Sequence, residues 1–123
     1  MLLKPLRGRK AFRSVRMEGA IFEGTFLKFY HLCHSGQPLP FLVAVNVNKR
    51  YGVAVRRNRV KRRIRESLLL ALHKHHEVLN TCQTGVSVVV VYKGTRDKRL
   101  DRVSFADIQR DVGKFMHAII THG

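Results

Sequence analysis

Residues 49–65 read Lys49-Arg50-Tyr51-Gly52-Val53-Ala54-Val55-Arg56-Arg57-Asn58-Arg59-Val60-Lys61-Arg62-Arg63-Ile64-Arg65, nine basic residues and no acid. Tyr51-Gly52 interrupts a strand-like pattern, and the spacing beyond it predicts a long helix from about Arg56 or Arg57 to about Leu79. Val60, Ile64, Leu68, Ala71 and His75 recur at steps of four and three, within an arc of about 80° on a helical wheel, and that arc faces a core. Asn58, Lys61, Arg62 and Arg65 fall on another side, with Arg59 and Arg63 on its flank. Leu69, Leu70 and Leu72 widen the apolar surface further on, so the helix has a cationic first half and a more buried second half. A folded element of this kind concentrates positive potential and is a footprint for a polyanion.

Working outward, Phe41 to Asn48 alternates as a strand, with Phe41, Val43, Val45 and Val47 inward and Asn46 and Asn48 outward. Ala20 to His34 is aromatic and β-branched, with a break at Gly24. Its longer piece places Phe26, Lys28, Tyr30 and Leu32 on one face and Leu27, Phe29, His31 and Cys33 on the other. The turn-forming residues from Ser35 to Pro40 return the chain antiparallel. Adjacent strands would then present Lys28, Tyr30, Asn46 and Asn48 together. Val86 to Tyr92 is apolar on both faces and belongs in the centre of a sheet. A polar, solvated loop from Lys93 to Arg102 leads to a closing helix, with Ser104 as N-cap and Asp107 as its capping-box partner. Phe105, Ile108, Val112, Phe115 and Ile119 form its core stripe. At the start, residues 1–8 read as a flexible basic arm. A short helix from Arg9 to Glu18 follows, with Phe12 half covered and Gly19 ending it in the left-handed conformation.

The 123 residues suit one α/β domain, 1–123, with no internal repeat. Lys and Arg number 24 against 8 Asp and Glu, a formal charge of +16, which is tolerated most easily beside a polyanion. Nucleic acid is the first candidate partner and a membrane surface the second. No apolar run approaches the roughly 20 residues that span a bilayer, and Pro5, Gly8 and early charges break any signal-peptide pattern, so a cytoplasmic address is expected. Cys33 and Cys82 are then expected as free, partly buried thiols.

Catalytic side chains are hard to assemble from this chain. The acids are scattered, and Asp107 and Asp111, four apart on one helix, read as solvated acids near a helix N-terminus. The groups His31, Cys33, His34 and His73, His75, His76, Cys82 lack the paired spacing of a zinc site, so no metal is expected on the protein alone. No nucleophile elbow or phosphate-cradling glycine loop is present. RNA or DNA binding remains: arginine forks hold phosphates, and Asn58 can both donate to and accept from RNA. Contact with 6 to 10 phosphates would lose roughly 10³ to 10⁵ in affinity between about 50 and 200 mM salt.

The run from Lys49 through Glu66 resembles the signature of the bacterial ribonuclease P protein subunit, with Gly52, Ala54, Val55, Arg57, Asn58, Arg59, Lys61, Arg62, Arg65 and Glu66 in register. Phe12, Val15, Gly19 and Tyr30 extend the likeness more weakly. The resemblance implies a two-layer α/β (α+β) sandwich, a small mixed sheet with three helices, like the second domain of ribosomal protein S5, with a left-handed βαβ crossover. It implies an accessory subunit of an endoribonuclease whose catalytic centre is RNA, with no small-molecule cofactor, no membrane partner, and magnesium bound mainly by the RNA. The partners would be ribonuclease P RNA and precursor tRNA, whose 5′ leader is removed. Lys49, Arg50, Arg56, Arg57, Asn58, Arg59, Lys61, Arg62 and Arg65 would grip the ribozyme. Phe12, Arg16, Lys28, Tyr30, Asn46 and Asn48 would line the leader path. The chain departs from the family's pattern at Asn48, at Arg16, where a second aromatic is usual, and at Tyr92-Lys93, where an arginine is usual. A structural RNA binder of ribosomal type is the alternative reading.

Overall fold

The apolar run Thr84–Tyr92 (β5) is the middle strand of a five-stranded mixed sheet. The computed structural model describes residues 3–35, 40–81, 84–94 and 103–122. Along the chain β5 is preceded by β1 (Leu3–Pro5), α1 (Arg9–Glu18), β2 (Ala20–Glu23), β3 (Leu27–Ser35), β4 (Phe41–Asn46), a 3-10 turn (Lys49–Tyr51), α2 (Ala54–Lys74) and α3 (His76–Thr81), and followed by α4 (Phe105–His122). The spatial order is β1-β4-β5-β3-β2. β5 pairs parallel with β4 and antiparallel with β3, so β3 and β4 are not neighbours as their short connection suggested. A strand that is apolar on both faces gains most from the central position, and β5 takes it.

Each face of the sheet has its own helical cover. α2 and α4 pack together on one face, enclosing Phe29, Phe41, Val43, Val88 and Val90 with Val60, Ile64, Leu68, Ile108, Val112 and Phe115. Phe29 and Phe115 stack with centroids 4.3 Å apart and rings 3° from parallel. α1 crosses the opposite face, where Val15 packs on Tyr30 and Val89 with Phe12 and Leu6 partly covered. Phe26 precedes β3 and joins the α2/α4 core instead of the Lys28–Tyr30 face expected from alternation.

Four further readings are corrected. Leu3–Pro5 forms an edge strand parallel to β4, with Leu6 N–H donating to Val43 O at 2.8 Å, where a flexible arm was expected. Gly19 ends α1 in extended geometry (φ −74°), and its want of a side chain is steric: a Cβ would sit 2.5 Å from Val15 O and 2.7 Å from His31 O. α2 begins at Ala54, earlier than its charge pattern suggested, and stops at Lys74 before the separate short helix α3. Asp111 is no solvated acid, being 1% exposed. Its carboxylate accepts from the N–H groups of Thr25 (3.0 Å), Phe26 (2.7 Å) and Leu27 (3.0 Å), tying α4 to the start of β3. Ser104 and Asp107 make the expected reciprocal capping bonds, both 3.1 Å. Most of the loop read from Lys93 to Arg102, and Cys82, lie outside the described residues. Cys33 is free but exposed rather than partly buried.

Candidate nucleic-acid interface

The positive end of α2 is left open. Val53 is its N-cap with no side-chain hydrogen bond, and the first turn holds no acid. Val53 can offer the start of the helix no capping oxygen, and no carboxylate of the first turn compensates its dipole. Cations crowd this end, the reverse of the arrangement that stabilises a helix, and a docked polyanion would offset the cost. Arg56, Asn58, Arg59, Arg62 and Arg65 are exposed, while Arg57 and Lys61 are half-buried. Val53 and Val55, 64% and 69% exposed, add apolar surface beside these cations.

The guanidiniums are not equivalent. Arg57 Nε donates to Gly52 O at 3.1 Å, pinning the preceding turn, and Arg63 Nη1 donates to Val103 O at 3.1 Å across to the start of α4. Arg62 lies 4.0 Å from Glu66, an exposed pair that constrains it little. The exposed heads of Arg59 and Arg65 are the ones left to reach outward.

The basic turn at Lys49–Tyr51 is held to the end of the sheet. Asn48 Oδ1 accepts from Arg50 N–H at 3.0 Å, so this asparagine caps the turn and lies beyond β4, off the sheet face on which its alternation placed it. The Tyr51 hydroxyl donates to Lys93 O at 2.7 Å and accepts from Arg50 Nη2 at 3.0 Å. Its ring meets Tyr92 edge-on at 4.9 Å. Burial first, then Tyr51 and Asp107, raises the Tyr92 phenol above its ordinary value, and its hydroxyl has no partner among the described residues. Tyr51 and Lys93, which orient this turn, are not among the site residues expected from the sequence, where Tyr51 reads only as a strand break and Lys93 as the start of a loop.

On the other face of the sheet, register brings separate strands into rows. Tyr30 and Ala44 both pair with Val89, and Lys28 and Asn46 both pair with Val91. Lys28, Tyr30 and Asn46 thus share a face even though β5 separates their strands. α1 supplies the wall: the Arg16 guanidinium stands 4.4 Å over the Tyr30 ring, where an aromatic would otherwise be expected. Lys28 Nζ lies 5.3 Å from the same ring. At the end of this row Glu23 bridges two ammoniums, Lys28 at 3.4 Å and Lys93 at 2.5 Å. The Lys93 hydrogen bond chiefly, with Lys28, holds Glu23 below the ordinary carboxylate value, while Tyr30 first and Glu23 second raise Lys28.

No group of three or more His, Cys, Asp or Glu suited to a metal occurs among the described residues. His31 edges against Phe115 at 5.4 Å, its Nδ1 buried without a partner among the described residues, and burial lowers its pKa from 6.5. No helix among the described residues is long and apolar enough to cross a membrane.

Comparison with known proteins bears on the fold and the family. The chain is 42% identical over 74 residues to the ribonuclease P protein component of Coprothermobacter proteolyticus, a match covering 60% of this chain and 56% of that protein, so just over half of the relative's length is spanned. The fold is similar to the RNase P protein of Staphylococcus aureus (TM-score 0.67, 21% identity, 94% of this chain and 93% of that one). It is also similar to that of Thermotoga maritima (TM-score 0.68, 20% identity, 94% and 96%). The model of the family Ribonuclease P matches residues 3–120, nearly the whole chain, and the chain belongs to that family.

Proposed function

We propose that the chain is the protein subunit of a ribonuclease P: it binds the catalytic RNA and the 5′ leader of precursor tRNA, and assists removal of that leader. The observation that carries this reading is the uncapped, acid-free start of α2, with exposed Arg56, Asn58, Arg59, Arg62 and Arg65, in a chain that matches the family over residues 3–120. That surface would take the ribozyme, with Lys49 and Arg50 presented by the turn beside it and with Arg57 and Lys61 at its edge. The leader would lie along Phe12, Arg16, Lys28, Tyr30 and Asn46, where an aromatic face and cations meet. Asn48 acts on this path indirectly, by shaping the basic turn.

Bond cleavage would then belong to the RNA, and the protein contributes placement. Magnesium is assigned to the RNA as well, and Glu23, the acid beside the leader path, is committed to two ammoniums. A bacterial cytoplasm is the matching compartment. The test is reconstitution with ribonuclease P RNA at low magnesium, where the chain should accelerate cleavage of precursor tRNA. A structural RNA binder of ribosomal type would bind RNA without that acceleration.

A further inference from the structure

The outer surface of α4 carries a trough that neither proposed RNA surface uses. One cavity, about 530 Å³, opens between α2 and α4 beside Ser67, Leu70, Ala71 and Lys74. A second, about 670 Å³, lies between α4 and Phe22 of β2, bordered by Arg110 and Lys114. Both share Gln109, Gly113 and His117, so Gly113 is the saddle over which they join. Neither is lined by an acid among the described residues. Lys74, Arg110 and Lys114 supply permanent charge, and His75, Gln109 and His117 supply hydrogen-bonding heads.

Gly113 is the informative residue. It sits in the interior of an 18-residue helix, where glycine is less favourable than alanine. No positive φ requires it, and a Cβ there would meet nothing within 4 Å. Packing among the described residues therefore does not explain the glycine, which leaves the backbone bare at the floor of the trough. Ser67 adds a second unexplained feature, a 1% exposed residue whose hydroxyl has no partner among the described residues.

We infer that this trough is a second RNA site, in which a single-stranded segment of the partner ribonuclease P RNA crosses α4 over Gly113. A base would lie against Leu70, Ala71 and the Gly113 backbone, and phosphates would meet Lys74 and Lys114. The open, two-lobed form suits a strand better than an enclosed small anion. The ribozyme is the assigned source because Lys74 lies on the same helix as Arg59 and Arg62, whereas the leader path lies across the sheet under α1. This inference rests on the ribonuclease P reading above.

The test measures affinity and nuclease protection of ribonuclease P RNA with the intact chain, Gly113→Leu and Lys74→Ala. A Cβ at this position meets nothing within 4 Å and leucine favours the helix, so the melting temperature of Gly113→Leu should equal or exceed that of the parent. Gly113→Leu should weaken RNA binding about fivefold or more and remove protection from one single-stranded segment, leaving the protections due to the start of α2. Lys74→Ala should lower the salt slope of binding by about 1. Parental affinity and footprint in Gly113→Leu would overturn the trough site alone. Failure of the unaltered chain to bind this RNA would overturn both the site and the ribonuclease P reading.

Discussion

The Arg16 guanidinium lies 4.4 Å above the ring of Tyr30, joining α1 to β3 across the mouth of the proposed leader path. With the Tyr30 ring buried beneath it, the guanidinium is itself the plane offered to a nucleobase, and it offers a phosphate a charge at the same place. Arg16→Ala should weaken binding of precursor tRNA with a leader by about three- to tenfold, with little effect on leaderless tRNA. Arg16→Tyr should restore part of the loss through stacking. Equal losses on both RNAs would remove Arg16 from the leader path.

Asp111 supports that path from beneath. Three N–H groups converge on its buried carboxylate, and Asp111→Ala would leave them unpaired at the turn that starts β3. Phe26 and Leu27 are buried while Thr25 is exposed, and an unpaired buried donor costs about 1–3 kcal/mol, so a loss of at least about 2 kcal/mol in chemical denaturation is expected. Asp111→Asn should recover a minor part, since its amide nitrogen cannot accept. A loss below about 1 kcal/mol would contradict this assignment.

Glu23 holds Lys28 and Lys93 where a phosphate would otherwise bind. Glu23→Gln should therefore tighten RNA binding and steepen its salt dependence, as read by titration at several salt concentrations. Its pH effect has a definite sign. The folded-state pKa lies below the ordinary 4.5, so its contribution to stability is present above about pH 4.5 and fades as pH falls through the folded value. Melting curves of Glu23→Gln and the parent should differ above that range and converge below it. Unchanged RNA affinity would show that the bridge does not compete.

The missing cap on α2 predicts a trade between stability and binding. Val53→Asp would place an acceptor and a negative charge at the helix start, and should stabilise the free chain by about 0.5–2 kcal/mol. The same carboxylate would repel a docking phosphate, so affinity for ribonuclease P RNA should fall. A variant both more stable and equally tight would place the RNA elsewhere.

Periodicity alone located the core side of α2 through Val60, Ile64 and Leu68, and the central position of β5 through its two apolar faces. It grouped Lys28, Tyr30 and Asn46 correctly, because side-chain alternation survives an intervening strand when the register is even. It could not tell that β5 intervenes, since pairing depends on contacts remote in sequence. Asp111 misled for a related reason. A helix-face carboxylate looks solvated until the strand start that donates to it, more than eighty residues away, is folded against it. Asn48 depended on local turn geometry that no hydrophobic pattern encodes, and Tyr51 on Lys93, a partner 42 residues away in the chain.

The central claim, that the start of α2 seats a catalytic RNA, is tested most directly by reconstituted cleavage of precursor tRNA at low magnesium. Arg59 and Arg65 are suitable sites, because both are exposed, whereas Arg57 also pins Gly52. The unaltered chain should accelerate cleavage by ribonuclease P RNA, and Arg59→Ala combined with Arg65→Ala should lose most of that acceleration at limiting protein while melting like the parent. Full acceleration by the double variant at limiting protein would contradict the account.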